Sequence, residues 1–134
     1  MESARLAAIP VFAALTDDER AAVAEVAFEV EAAAGETIAV EGDFGYALYA
    51  IESGTVTVSS DGSTLRTLGP GDVFGEIAVL ASGRRTASVH AATPLRMIAL
   101  FKRDVWALER NLPSTVEHLR ALIAERRDPT EAPA

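Results

Sequence analysis

The spacing of hydrophobic residues changes twice along the chain, and each change marks a different kind of structure. Apolar side chains in residues 3–27 recur at the helical period of about 3.6 residues, with a break at Pro10. Thr16, followed three residues later by Glu19, has the pattern of a capping box, which predicts a helix start. The sequence therefore predicts N-terminal helices over 3–27: a short one over 3–9 that ends before Pro10, and a last one that ends at about Ala27.

Beyond these helices the apolar positions alternate with polar ones, which is the period of a strand with one buried face. Turn residues separate such segments at intervals of about 8–12 residues, and Asp61-Gly62 is a strong hairpin signal. The predicted strands lie at residues 28–32, 37–40, 48–51, 55–58, 65–68, 73–74, 86–91 and 95–100. This repeated spacing favours an antiparallel β-sandwich or barrel.

The helical period returns after the last predicted strand. One helix is predicted over 104–111, with Val105, Trp106 and Leu108 as its apolar positions. A second helix begins at Pro113, and its apolar stripe consists of Val116, Leu119, Leu122 and Ile123. The pattern as a whole therefore predicts a mainly β domain with helices at both ends.

The composition narrows the range of chemistry. The 134 residues suit one domain, and the absence of cysteine excludes disulfides, thiolate zinc sites and cysteine nucleophiles. His90 and His118 are the two histidines, so a multi-histidine metal centre is excluded as well. No apolar run approaches the ~18 residues of a membrane span, and the first residues lack the features of a signal peptide. We therefore expect a cytoplasmic protein that binds no metal and no membrane.

Charge is distributed unevenly along the chain. The formal net charge is −8, which makes the chain a poor candidate for binding nucleic acid. Residues 1–80 contain 14 acidic and three basic residues, whereas residues 81–134 contain six acidic and nine basic ones. An anionic ligand is therefore expected in the second half. The alternative is that the split has no functional meaning, since charge patterns are weak evidence.

The most informative stretch begins where the sixth predicted strand ends. Gly75 lets the backbone approach a ligand closely, and one helical turn predicted from Glu76 presents N–H groups to an anion. Arg85 is followed by a hydroxyl and a small residue, Thr86 and Ala87. This group suits a single phosphate, because a guanidinium binds phosphate oxygens in pairs and the small neighbours leave room.

The glutamate in this stretch needs a different partner. A carboxylate would repel phosphate, so Glu76 is expected to face a hydrogen-bond donor such as a sugar hydroxyl. An acid for ribose, an arginine for phosphate and helix amides together describe a nucleotide whose one phosphate lies close to its own ribose. The alternative is that Glu76 and Arg85 only pair with each other.

Three segments resemble signatures of the cyclic nucleotide-binding domain family. The segment FGEIAVLASGRRTASV at 74–89 resembles the family's phosphate-binding cassette. The segments GDFGYALYAIESGTV at 42–56 and GPGDVFGE at 69–76 resemble two further signatures, in the expected order. Tyr46 departs from them, because an acid or serine is usual there. The resemblance covers about residues 9–127, and its motifs look most like those of pacemaker channels and of a bacterial cyclic-nucleotide-gated potassium channel.

The resemblance implies an eight-stranded antiparallel β-roll of jelly-roll type, with N-terminal helices, a short phosphate-binding helix and two C-terminal helices. It implies a single domain over 1–127. The N-terminal helices would lie in 3–27, the roll in 28–101 and the C-terminal helices in 103–127. Residues 128–134 are expected to form a flexible tail.

The resemblance also implies the ligand, cAMP or cGMP, and the residues that contact it. Glu76 would bind the ribose 2′-hydroxyl and Arg85 the cyclic phosphate, while Arg66 would lie beside the base pocket. In related domains an arginine of the last helix caps the base. It aligns with Arg126, for which a solvated helix-end cation is the alternative. The implied ligand-binding residues are Gly75, Glu76, Ile77, Ala78, Arg85, Thr86, Ala87, Val58, Leu68 and Arg126.

The sequence contains no P-loop, no kinase signature and no His/Asp set for a phosphodiesterase, so we expect no enzyme. The expected function is a sensor whose C-terminal lid helix closes over bound nucleotide and signals to an unidentified effector protein. Closure would bury Leu119 or Ile123 near the base. Two alternatives stay open. One is the ligand-sensing fragment of a catabolite-activator-type transcription regulator, and the other is a degenerate domain kept for dimerisation as a homodimer.

Overall fold

Alternating apolar residues place the strands, and helical residues flank them at both ends. A computed structural model of the chain describes residues 1–76, 79 and 84–126, the last of these for its backbone alone. The strands are β1 Phe28–Ala32, β2 Thr37–Ala39, β3 Ala47–Ser53, β4 Val56–Ser60, β5 Ser63–Leu68, β6 Val73–Phe74, β7 Ser88–Ala91 and β8 Leu95–Phe101. The helices with both ends described are α1 Ser3–Leu6, α2 Pro10–Ala13, α3 Asp17–Val26, α4 Lys102–Asn111 and α5 Pro113–Arg126.

The strands of the described residues form two four-stranded antiparallel sheets. The first has the order β1-β8-β3-β6 and the second β2-β7-β4-β5. We call them the helix-covered sheet and the outer sheet. Asp61 and Gly62 connect β4 to β5 with positive φ angles of 52° and 79°, as a tight hairpin requires. The prediction of an eight-stranded antiparallel β-roll is therefore confirmed.

The helix-covered sheet has an apolar layer on each face. Successive side chains of a strand point to opposite faces, so in β3 Leu48 and Ala50 face the helices while Ile51 faces the outer sheet. The helix-side cluster contains these two residues and apolar side chains from the helices. Its largest members from these five helices are Leu6, Val11, Phe12, Val23, Val105, Val116, Leu119 and Ile123.

The second apolar layer is the interior of the roll, between the two sheets. Its buried members from the strands and the loop before β7 are Ala32, Ala39, Ile51, Val56, Val58, Leu68, Phe74, Ala87, Val89, Ala91, Leu95 and Met97. Met97 on the helix-covered sheet and Val58 on the outer sheet are both fully buried there. The roll therefore has its own core, separate from the helix-side cluster.

Proline and capping residues set the helix boundaries. Pro10 is the first residue of α2, where a missing N–H costs no hydrogen bond, and α1 ends earlier than predicted, at Leu6. The capping box at the start of α3 is present in both directions: Glu19 N donates to Thr16 Oγ1, and Thr16 N donates to Glu19 Oε1. The prediction of a helix start at this point was correct.

One detail of the C-terminal helices differs from the sequence prediction. Trp106, predicted as an apolar position of its helix, is 51% exposed, whereas Val105 beside it is buried. Leu119 and Ile123 lie in the helix-side cluster, and the prediction that lid closure buries one of them near a base stays a prediction. In α5 the apolar side chains therefore pack against the N-terminal helices and the back of the helix-covered sheet. The predicted tail at 128–134 lies outside the described residues.

None of the helices in the described residues is long and apolar enough to cross a membrane.

Candidate functional site

The end of β6 is a corner built around a glycine. Gly75 follows Phe74, and helical backbone begins at Glu76. Gly75 has φ +81°, and a Cβ at this position would collide with the guanidinium of Arg85 and lie 3.1 Å from the carbonyl oxygen of Ala47. Both the backbone angle and the lack of space therefore require glycine.

Arg85 closes this corner from the other side. Its side chain is buried, and its Nη2 donates to the carbonyl oxygen of Ala47 at 2.8 Å while its Nη1 donates to that of Gly75 at 3.3 Å. The guanidinium carbon lies 5.8 Å from the centre of the Tyr49 ring. Burial lowers the pKa of Arg85 from its ordinary value, while Tyr49 and the carboxylate of Glu76 act in the opposite direction. An arginine pKa is so high that the group stays cationic at neutral pH.

Glu76 is the second charged residue of the corner. It is 4% exposed, and its charge interacts favourably with Arg85. Charged side chains are almost never this buried unless they are paired, because removing them from water is costly. The structure therefore brings together the two residues that the sequence predicted as ribose and phosphate partners.

The two neighbouring arginines have different roles. The backbone N–H of Arg85 donates to the backbone carbonyl of Asp43 at 2.7 Å, and the backbone N–H of Gly42 donates to the carbonyl of Arg85 at 3.0 Å. These two bonds fix Arg85 to the β2–β3 loop. Arg84 is exposed, lies 4.3 Å from the ring centre of Phe44 and donates to the carbonyl of Gly42 at 2.8 Å. Of the pair, Arg85 is the one directed into the protein.

The predicted base-pocket residues share the inner face of the outer sheet. Val58 stands opposite Arg66 on β5 and opposite Val89 on β7, and Leu68 stands opposite Val56. Residues directly opposite in antiparallel strands point to the same side. Arg66 is therefore an arginine on a face that is otherwise apolar at these positions, and it is partly buried.

The remaining predicted site residues are placed to different extents. Ala87 is buried in the roll interior. Thr86, which precedes it in the chain and follows Arg85, is partly buried. Ile77 and Ala78 lie outside the described residues, as does the side chain of Arg126. Among the described residues, no three His, Asp or Glu side chains are grouped to hold a metal ion.

Sequence reasoning missed one residue of the corner, Tyr49. Its ring stacks on Phe74 with 5.1 Å between ring centres. The guanidinium carbon of Arg85 also lies 5.8 Å from the centre of the Tyr49 ring. The contact follows from the pairing of β3 with β6, in which Tyr49 is opposite Phe74. The alternation in β3 could have placed Tyr49 on the inner face, but the pairing partner is not visible in the sequence.

Val79 connects the corner to the helices. It has helical backbone three residues after Glu76, and its side chain is 4% exposed. It belongs to the helix-side cluster together with Leu119 and Ile123 of α5. Glu76 at the charged corner is therefore three residues away in the chain from Val79, which packs among the residues that hold the C-terminal helix.

The fold and this corner define a β-roll domain with a site suited to an anion that also carries hydroxyl groups. The chain belongs to the cyclic nucleotide-binding domain family, whose model matches residues 29–111, more than half of the sequence. The family predicted from the motifs is therefore confirmed.

Individual relatives agree with this assignment. The chain is 41% identical over 97 residues to the cyclic AMP receptor protein of Thermus thermophilus, covering 69% of this chain and 45% of the relative. It is 34% identical over 94 residues to a cyclic nucleotide-gated potassium channel of Rhizobium etli, covering 70% and 26%. The chain spans less than half the length of the curated relatives it matches.

Solved structures also match this chain over nearly its whole length. One of them is a cyclic nucleotide-binding protein of Geobacter metallireducens, which superimposes with a TM-score of 0.85 and covers 93% of this chain and 94% of its own. The two sequences are 23% identical, so this likeness shows the fold alone.

Proposed function

We propose that the chain is a sensor that binds a 3′,5′-cyclic nucleotide at the corner formed by Gly75, Glu76 and Arg85. The observation that carries this proposal is a buried arginine and a buried glutamate that meet at a glycine with no room for a side chain. The family assignment and the receptor of Thermus thermophilus, which is named for cyclic AMP, support cAMP as a ligand.

Each residue of the corner has a proposed role. A guanidinium has five N–H donors, more than the carbonyls of Gly75 and Ala47 use, so Arg85 can bind the cyclic phosphate while these two contacts hold its plane. Glu76 accepts from the ribose 2′-hydroxyl. The hydroxyl of Thr86 donates a hydrogen bond to a phosphate oxygen, and its small side chain leaves space for the ligand.

The base has a separate set of proposed contacts. Val58 and Leu68 cover one face of the purine, with Arg66 beside them on the same inner face. The backbone amides of Ile77 and Ala78 and the side chain of Arg126 complete the site as the sequence predicted. We propose that both cAMP and cGMP bind, with no metal.

We propose that the signal leaves the site through Val79. A ligand that moves Gly75 and Glu76 also moves the helical turn that carries this residue, and Val79 packs in the cluster that holds α5. The C-terminal helix then acts as the moving lid. Because Leu119 and Ile123 are already buried, closure has to shift the whole cluster or withdraw these side chains from it. An effector protein in the cytoplasm, or a second copy in a homodimer, would read this change.

Calorimetric titration tests the binding proposal. Wild type, Arg85→Ala and Arg84→Ala are titrated with cAMP, cGMP and 5′-AMP. Removing one partner of a buried charged contact costs about 2–5 kcal/mol, so Arg85→Ala is expected to weaken cAMP binding roughly thirty-fold or more. Arg84→Ala is the matched control, because this exposed neighbour is directed away from the corner, and it is expected to bind like wild type. Equal affinity in wild type and Arg85→Ala overturns the assignment.

Hydrogen exchange tests the lid. The amides of α5 are expected to exchange at different rates with and without saturating cAMP. A ligand changes this equilibrium only if it binds one arrangement of the helix better than the other. Identical exchange in both states would make the domain a static binder.

A further inference from the structure

Half of the aromatic residues of this chain are exposed. The sequence has one Trp, two Tyr and five Phe. Of these, Phe44 is 56% exposed, Tyr46 69%, Phe101 37% and Trp106 51%. Large exposed apolar residues are ordinary when scattered, but a group of them on one face marks an interaction site.

These four residues lie next to one another. Ala47 pairs with Phe101 across β3 and β8, and the backbone N–H of Lys102 donates to the carbonyl of Tyr46 at 2.7 Å. Phe44, Tyr46 and Phe101 line one groove. The ammonium group of Lys102 in turn lies 5.1 Å from the ring centre of Trp106. The aromatic side chains therefore form a continuous face.

Cations lie on three of the four rings. Besides Lys102 on Trp106, Arg84 lies 4.3 Å from the ring centre of Phe44 and Arg103 lies 5.7 Å from that of Phe101. We call the seven residues the aromatic–cationic face: Phe44, Tyr46, Arg84, Phe101, Lys102, Arg103 and Trp106. It brings three cations together on a chain whose net charge is −8. Asp43 lies at the edge of its groove, Asp104 follows Arg103 in the chain, and Glu109 lies beside Trp106 together with Arg110.

A groove opens within this face between β2 and β3. Its volume is about 250 Å³, and its apolar walls include Ile38, Val40 and Tyr49. Arg85 is the residue that this groove shares with the proposed nucleotide site, since neither Glu76 nor the base-pocket residues Val58 and Leu68 line it. The groove is large enough for one bulky apolar side chain.

We propose that the aromatic–cationic face docks a short segment of a partner protein in which carboxylates flank one large apolar side chain. The apolar side chain enters the groove, and the carboxylates meet Arg84, Lys102 and Arg103. The surrounding chain is acidic, so an extended anionic surface such as a bilayer is repelled by the rest of the molecule. A short peptide contacts only the local positive patch, because salt screens charges beyond about 8 Å at physiological ionic strength.

Docking is coupled to the nucleotide site through Arg85. This step rests on the proposed function, whereas docking itself does not. Arg85 contacts Ala47 and Tyr49, which border the groove, so a phosphate that draws the guanidinium towards itself alters the groove wall. By linkage, a peptide in the groove then changes nucleotide affinity by the same factor as nucleotide changes peptide affinity.

Trp106 provides the readout, because it is the single tryptophan of the chain. The probe is a blocked peptide with one central Leu flanked on both sides by Asp residues. Binding is expected to shift the Trp106 emission to shorter wavelength, to protect it from acrylamide and to saturate. A peptide with Lys in place of Asp, and one with Ser in place of Leu, are expected to bind at least about ten-fold more weakly, because each lacks one of the two contacts.

Variants separate the face from general surface effects. Tyr46→Ser and Arg84→Ala are each expected to weaken peptide binding several-fold. Leu65→Ser is the matched control. Leu65 is 42% exposed on β5, one edge strand of the outer sheet, whereas the groove lies at β2, the other edge strand. This variant is expected to bind the peptide like wild type. If Arg84→Ala binds the peptide more weakly but binds cAMP like wild type, then peptide docking is shown to be separate from nucleotide binding.

Other occupants are outcomes of the same assay. The proposal is overturned if no peptide gives a saturable change. It is also overturned if anionic phospholipid vesicles shift Trp106 where the peptide does not, or if sedimentation shows that this face joins two copies of the chain. Equal peptide affinity with and without saturating cAMP overturns the coupling through Arg85 and leaves docking supported.

Discussion

The two faces of the helix-covered sheet use the same strands for different purposes. On one face, Leu48 and Ala50 pack against five helices in a cluster whose buried members are all apolar. On the other, Ile51 belongs to the roll interior, beside which Glu76 and Arg85 are buried. Burial of apolar surface stabilises, whereas burial of charge costs free energy unless it is compensated. The comparison shows that the helix side buries an apolar cluster, whereas the roll side combines an apolar core with two buried charges.

The largest expected effect lies on the helix side. Leu119→Ala removes a fully buried side chain from the cluster and is expected to lower the free energy of unfolding by about 2–5 kcal/mol. Chemical denaturation measures this loss. Leu112→Ala is the control, because Leu112 is 44% exposed and its substitution is expected to change stability by less than about 0.5 kcal/mol. Equal losses in both variants would contradict the burial of Leu119 in the helix-side cluster.

On the roll side, Gly75→Ala is expected to weaken binding in addition to lowering stability. The added methyl group would occupy the space of the Arg85 guanidinium, so cAMP affinity should fall at least about ten-fold, equivalent to ~1.4 kcal/mol. Gly35→Ala has the same kind of backbone, with φ +87°, but open space around it. It should lose only the ~1–2 kcal/mol of stability that a positive φ costs and keep its affinity. Calorimetry on both variants would refute the steric argument if they bound cAMP alike.

A smaller effect is expected at Thr86. Its hydroxyl contributes a hydrogen bond worth ~1 kcal/mol, so Thr86→Ala should weaken cyclic nucleotide binding about five-fold. Thr86→Ser, which keeps the hydroxyl, should bind like wild type. The same titrations compare cAMP with cGMP. A preference beyond about a hundred-fold would exceed one hydrogen bond and assign selectivity to another residue, with Arg66 examined first.

The smallest effect concerns pH and the contact between α3 and α5. The backbone N–H of Thr16, and then the His118 side chain 2.7 Å away, lower the pKa of Glu19. A carboxyl group with a lowered pKa in the folded state stabilises the protein above its unfolded pKa of about 4.3, and this contribution is lost as the pH falls through the folded value. Wild type should therefore lose more stability between pH 6 and pH 3 than Glu19→Gln. If the stability of wild type and of Glu19→Gln fell in parallel over this pH range, Glu19 would have no role in the pH dependence of stability.

The fold was predictable where local patterns decide it. Alternation of apolar residues, short apolar runs and turn residues between them located the strands. Asp61-Gly62 marked the hairpin and the Thr16 capping box marked the start of α3, because these signals depend on neighbouring residues. The exposure of Trp106 was not predictable, because helical spacing alone does not show which side of α4 faces the cluster. The position of Leu119 likewise depends on how α5 packs.

The site was predictable in part. The resemblance to the family selected Arg85 over Arg84, and the structure directs Arg85 inwards. Tyr49 was missed because its contacts depend on the pairing of β3 with β6, which joins segments about 25 residues apart. Long-range pairing of this kind leaves no local trace in the sequence.

A crystal structure of the chain with bound cAMP would show the proposed contacts of the nucleotide. We predict that phosphate oxygens lie within about 2.7–3.0 Å of the Arg85 guanidinium. We also predict that the ribose 2′-hydroxyl donates to Glu76 and that the purine rests against Val58 and Leu68. A nucleotide bound elsewhere, with Arg85 still donating only to the carbonyls of Gly75 and Ala47, would contradict these predictions.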